Sequence, residues 1–274
     1  MFRQLMVVMT MAVGLTGASL AAAQAPPGSE ATLAGIEKYR QALGDGNPAE
    51  LWELRGEGIW KTKRGAKNAS LEQCDLGLGA GVVKGAYTVL PKYFADADRV
   101  MDLETRLVHC MVTLQGATPE QAKKDPFGGP NKKSDMEALA AFITGESRGM
   151  AMKVAATHPK EVEYFELGKK MFFHRGGPHD FSCANCHATD KQRIRLQDLP
   201  NLLNPADAKR AYTTWPAYRV SQGELRSFQW RLNDCFRQQR FPELVFTSDA
   251  SVALTMYLAK NANGGVMAAP AIKR

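Results

Sequence analysis

Beyond its first twenty or so positions the sequence has no apolar run long enough to form a membrane-crossing helix. The exception is the N-terminus. "MFRQLMVVMTMAVGLTGASLAAAQAPPG" carries one early charge, Arg3, then an apolar stretch from Leu5 to about Leu20, then small residues. That order is the order of an export signal, and cleavage after Ala23 satisfies the small-x-small rule through Ala21 and Ala23. Residues 1–23 are read as a signal peptide, and the mature chain is expected to be soluble and periplasmic. Cysteine is scarce as well. Five is an odd number, so at most two disulfides form and one thiol is left over. Nucleic-acid motifs are missing, and export makes such a role remote. The net charge of +7 therefore points to an anionic substrate or an acidic partner. A mature chain of roughly 250 residues suffices for two ordinary domains.

Against this sparse background one motif stands out. "FSCANCHATD" contains Cys183-Ala-Asn-Cys186-His187, the C-x-x-C-H pattern of c-type haem attachment. Two thiols three positions apart reach the two vinyl groups on one porphyrin edge, and the adjacent histidine supplies an imidazole to iron. A zinc site would need a second Cys or His pair nearby, and none follows. A redox disulfide would want a preceding strand, whereas "VEYFELGKKMFF" has the spacing of a helix through Phe165, Gly168 and Phe172. "ASVALTMYLAK" places Ala250, Leu254, Tyr257 and Leu258 on one helical face. These resemble the crossing N- and C-terminal helices of a cytochrome c, with Gly168 permitting close approach.

The usual second axial ligand, methionine or histidine, is missing. Neither residue occurs between Ala188 and Thr255. Met256 lies within the expected C-terminal helix, where packing explains it, and Met267 in "GGVMAAP" is a poor candidate. Cys235 is the strong ligand left in that window. A lone buried cysteine is ordinarily a core residue, but the haem motif and the missing ligands favour Cys235 on iron. A bound thiolate favours the ferric state.

The sequence also repeats itself. "RLVHC" (106–110) matches "RLNDC" (231–235), "LPKYF" (90–94) matches "WPAYR" (215–219), and "MEALAAFITG" (136–145) parallels "ASVALTMYLA" (250–259). "RGAKNASLEQCDLG" occupies the place of the haem motif, with Cys74 against Cys186, Leu71 against Cys183 and Asp75 against His187. The expected fold is all-α, with two tandem cytochrome c-like domains, 24–152 and 153–274, the first without haem. Cys74 and Cys110 then face each other across the space a haem would fill, and a disulfide is expected. Metal binding by Cys110 or His109 is the alternative. "GATPEQAKKDPFGGPNKKSD" (116–135) reads as a surface insertion in the first domain.

These features together resemble the SoxA family, the larger subunits of SoxAX cytochromes of bacterial thiosulfate oxidation. The resemblance rests on "GIWKTKRGAKNASLEQCDLGLG", "CANCH", "QWRLNDCFRQQRFPE" and the repeat. Some members carry two haems, and "LEQCD" places this chain with the single-haem branch. The resemblance implies an L-cysteine S-thiosulfotransferase that joins thiosulfate to a cysteine of a SoxYZ-like carrier. Two electrons would pass to cytochrome c, in a heterodimer with a SoxX-like haem subunit. It further implies one haem c on Cys183 and Cys186, with His187 proximal and Cys235 distal. Cys235 would be the active-site residue, found in the family as a persulfide, and Arg231 would bind the substrate anion. Arg231 lies one helical turn before Cys235, where a guanidinium stabilises a thiolate and offers paired donors to sulfonate oxygens. Leu225, Phe228, Leu232 and Cys235 share one helical face, expected to be directed at the haem. Arg231 pairing a haem propionate or an acidic residue is the plainer alternative. An electron-transfer cytochrome without transferase activity and a haem sensor whose thiolate leaves iron are the competing functions.

Overall fold

The chain is described from a computed structural model at Ala34, Gly35, Lys38 and residues 46–129, 132–194 and 197–273. The signal-peptide reading of residues 1–23 lies outside these. In chain order, α1 (Ala49–Lys61) is followed by a 3-10 turn (Ala86–Val89) and the hairpin β1 (Lys92–Phe94) and β2 (Arg99–Met101). Then come α2 (Leu103–Thr113), α3 (Pro119–Ala122) and α4 (Asp135–Gly145). The second half runs α5 (Pro159–Phe173), α6 (Cys183–His187), β3 (Arg193–Ile194), β4 (Gln197–Asp198) and α7 (Pro205–Tyr212). It continues with the hairpin β5 (Ala217–Arg219) and β6 (Glu224–Arg226), then α8 (Phe228–Gln238), α9 (Asp249–Asn261) and β7 (Ala271–Lys273).

Local chemistry fixes the helix starts. Asp102 accepts from the Thr105 amide and begins α2, and Ser227 accepts from the Trp230 amide and begins α8. Pro159 at the first turn of α5 follows a His158–Glu161 capping box. His158 also stacks on Tyr93 with ring centroids 3.7 Å apart.

The helices pair at glycines. α5 packs on α9 at Gly168, where an added Cβ would run into the Ala253 carbonyl and the Tyr257 side chain. α1 packs on α4 at Gly56 in the same way, against the Ala138 carbonyl and Phe142. The crossing therefore aligns Ala138 with Ala253. That is one residue away from the register read off the sequence, because both segments are apolar almost all round and carry little phase information.

Strands depart from the all-α expectation. β1 pairs antiparallel with β2, and β5 pairs antiparallel with β6 and parallel with β7. Segments of two or three residues are too short to show an alternating pattern in sequence. The two longer hairpins occupy equivalent places, each following a cis X-Pro bond, Leu90–Pro91 or Trp215–Pro216.

The described residues beyond position 42 form one compact unit, tied across its halves by buried polar groups. Gln229 donates to Asp102 at 2.6 Å, and its amide donates to Glu104 at 3.3 Å. Arg226 reaches Glu137 at 3.4 Å and the Gly128 carbonyl at 3.1 Å. Tyr87 and Tyr212 meet through their hydroxyls at 3.5 Å. Glu104 is only 4% exposed. Burial, and then the neighbouring Asp102, push its carboxyl up from the usual 4.5 to about 8.

Two expectations follow from this packing. Gly168→Ala should cost about 1–3 kcal/mol, measured by urea denaturation of the haem-loaded protein, because the carbonyl in the way belongs to a packed helix. A carboxyl whose folded pKa is raised stabilises the fold fully at acid pH and loses that contribution as pH climbs. Stability should therefore fall between about pH 5 and pH 8, by no more than about 1.4 kcal/mol per unit for this one group. In Glu104→Gln that component of the slope should vanish.

Candidate functional site

Ser182 starts the motif helix. Its hydroxyl accepts from the Asn185 amide at 3.3 Å, and the Asn185 side chain accepts from the Ser182 amide at 2.9 Å. The turn so fixed presents Cys183 and Cys186 as partly buried free thiols, with His187 next in chain. Burial pushes the Cys183 thiol up to about 12, helped by charge at Cys235 and Cys186.

The His187 ring is held through Nδ1, 2.9 Å from the Pro200 carbonyl oxygen. A carbonyl only accepts, so Nδ1 carries the proton and Nε2 keeps its lone pair. Burial, and to a lesser degree the Arg231 charge, hold the imidazole below its usual range against the pull of the Pro200 carbonyl. A neutral imidazole, oriented from behind with Nε2 free, is what an iron ligand requires.

α8 brings Cys235 into the same cluster, since charge at Cys235 acts on Cys183 and charge at Cys186 acts on Cys235. Burial pushes the Cys235 thiol up, Arg231 and Arg219 pull it down, and Asp234 and Cys186 oppose them. Arg231 lies 25% exposed, with Nη1 3.0 Å from Asp234 Oδ2. Asp234 is itself buried and also receives Arg237 at 2.6 Å and Gln238 at 2.7 Å. Asp234 and Arg219 are the residues that sequence reasoning passed over. The spacing Arg231, Asp234, Arg237 on one helix already signalled the first. Leu225, placed on the helical face from sequence, belongs to β6, because Ser227 caps the helix after it. Met256 and Met267 are core residues, 0% and 1% exposed.

The equivalent space in the first half is filled by the protein itself. Cys74 and Cys110 form a disulfide, which removes Cys110 as a metal ligand. Leu71, in the place of Cys183, is fully buried. Asp75, in the place of His187, accepts from the Gly77 and Gly79 amides at 2.7 and 2.9 Å. Arg106 donates to the Asp75 carbonyl at 2.6 Å and to Asp96 at 2.9 Å. Among the described residues no group of three or more His, Cys, Asp or Glu side chains is arranged to hold a metal ion.

In the second half the residues fit a c-type haem. Two thiols share one helical turn, an imidazole offers a free Nε2, and a soft sulfur lies in the same cluster on a different helix. A family model described as SoxA/TsdA, cytochrome c domain, matches residues 55–152 and 167–267. The L-cysteine S-thiosulfotransferase subunit SoxA of Hydrogenophilus thermoluteolus is 52% identical over 244 residues, covering 89% of either chain. The chain belongs to the SoxA family. A SoxA subunit of Hydrogenobacter thermophilus is 33% identical, covering 83% of this chain and 82% of its own. The crystal structure of SoxXA from P. pantotrophus superposes with a TM-score of 0.70 at 23% identity, over 86% of this chain and 84% of that one. That likeness establishes the cytochrome c-type fold, and the family's cytochrome c domain implies haem c.

Proposed function

We propose that this chain is an L-cysteine S-thiosulfotransferase subunit. It joins thiosulfate oxidatively to a cysteine of a SoxYZ-like carrier while bound to a SoxX-like haem subunit, in the periplasm. Residues 24–152 are a cytochrome c-like domain without haem, and 153–274 are the haem-binding domain. The observation that supports this reading is that Cys235, on the helix that also bears Arg231, lies near enough to Cys183 and Cys186 for their charges to act on one another. An electron carrier needs a sixth ligand but no anion-binding residues beside it, so Arg231 favours bond-making over electron transfer alone.

Cys183 and Cys186 would hold one haem c through thioethers, with His187 and Cys235 as the candidate iron ligands, and the group would supply one-electron oxidation. The chain's residues perform the rest. Asp234 fixes Arg231 so that its remaining donors are aimed rather than free to swing. Arg231 holds the sulfonate oxygens, which leaves the terminal sulfur of thiosulfate to approach Cys235. Partial burial of the sulfur keeps bulk water from competing for it. Joining thiosulfate to a carrier thiol forms one S–S bond and releases one proton and two electrons. Two electrons exceed what one haem would store, so a second haem, on the SoxX-like subunit, would be needed, with cytochrome c as the acceptor.

The test is thiosulfate-dependent reduction of cytochrome c by the haem-loaded complex with carrier present. Cys235→Ser should lose roughly 100-fold or more of the rate, and Arg231→Ala should lose rate while retaining the haem spectrum. Undiminished activity in Cys235→Ser would leave only the electron-transfer reading.

A further inference from the structure

The two halves build the same hairpin and capped helix, and one of the positions at which they differ is the last residue of the first hairpin strand. Phe94 ends β1 opposite Arg99, and Arg219 ends β5 opposite Glu224. Each hairpin leads into a helix with arginine at its fourth position, Arg106 in α2 and Arg231 in α8. In the first half the Arg106 guanidinium lies 4.1 Å over the Phe94 ring, a cation–π contact, and Asp96 holds it from another side. In the second half Arg219 takes that strand position, near enough to Arg231 for the two charges to act on each other.

Such a pair is costly by itself. Arg219 is pushed below its usual range, first by burial and then by the Arg231 charge, while Asp234 and Cys235 pull it back. Its Nε is buried and has no hydrogen-bond partner. Glu224 across the hairpin does not relieve it, since Glu224 Oε2 is buried and unpartnered as well. Asp234 is already shared among Arg231, Arg237 and Gln238. Two like charges in a partly buried place repel, and a buried N–H without an acceptor is destabilising. An oxyanion accepting from both guanidiniums removes both penalties at once.

We propose that Arg219 and Arg231 together form the seat for the sulfonate group of thiosulfate beside Cys235. This rests on the functional reading above and adds a second binding residue to it. The first half, with phenylalanine in that place and a disulfide in place of the free thiol, lacks both the second guanidinium and the reactive sulfur. The seat selects anions with a tetrahedral oxygen face, and the three oxygens of a sulfonate satisfy donors from two directions.

The decisive variant is Arg219→Phe, which installs the residue carried by the equivalent position and leaves Arg231 a ring to stack on. In the haem-loaded complex its KM for thiosulfate should rise roughly 10- to 100-fold. The haem spectrum and reduction potential should stay as in the wild type, and Arg219→Lys should recover part of the loss. An unchanged KM would overturn the proposal, as would a shifted haem potential with KM unchanged, the sign of a guanidinium serving a haem carboxylate. If the wild-type complex shows no thiosulfate-dependent reduction at all, the functional reading fails, but calorimetric titration of thiosulfate still decides the seat. Weaker binding to Arg219→Phe than to wild type would support it, and equal binding would overturn it.

Discussion

The close crossing of α5 over α9, made possible by the missing side chain at Gly168, sets the dimensions of everything around it. Ala253 and Tyr257 are drawn against α5, whose end leads through residues 174–182 to the Cys183–His187 helix. α8, with Cys235, leads through residues 239–248 into α9. Gly56 against Ala138 and Phe142 does the same in the first half, delivering Cys74 and Cys110 toward each other. The same packing thus recurs in the two halves. What differs is what fills them: leucine, a disulfide and an arginine–aromatic stack in one, and free thiols with two guanidiniums in the other.

That difference follows from what each crevice can tolerate. Buried polar groups favour partners, and at the equivalent positions of the first half both Asp75 and Arg106 have them: Asp75 caps a glycine loop, and Arg106 is shared by a carbonyl, a carboxylate and a ring. The second half leaves Arg219 Nε without an acceptor and His187 Nε2 with a free lone pair. An unsatisfied site is unfavourable for a structural core and appropriate for a binding site, since its ligands complete it. The halves are also not independent. Gln229, at the start of the helix that carries Cys235, is anchored on Asp102 and Glu104 of the other half. The first half thereby anchors the start of α8.

Much of this was legible in the sequence, because its chemistry is carried by short motifs. Cys183, Cys186 and His187 lie within five consecutive residues, and the missing Met and His before Thr255 made Cys235 the candidate ligand. "RLVHC" against "RLNDC" pointed to the Cys74–Cys110 pair. What sequence reasoning lost depended on geometry between distant segments. Arg219 reads as one more basic residue until β5 places it at the position where the twin hairpin has Phe94. Asp234 looks like a solvated helix acid until its burial shows it holding two arginines and a glutamine. The buried carboxylates at 102 and 104 lie at a helix start, where acidic residues are ordinary. Their place between the two halves is a tertiary fact.

The central claim is a division of labour among five cysteines: two for a haem, two for a disulfide, and one sulfur kept for chemistry. Mass spectrometry of the exported, haem-loaded protein, digested without reductant, tests it most directly. The account predicts one haem on the Cys183–Cys186 peptide and a Cys74–Cys110 cross-link. It also predicts a Cys235 peptide that is either unmodified or heavier by about 32 Da, the mass of one added sulfur. A second haem, a haem attached through Cys74, or Cys235 found in a disulfide with another cysteine of the chain would contradict it.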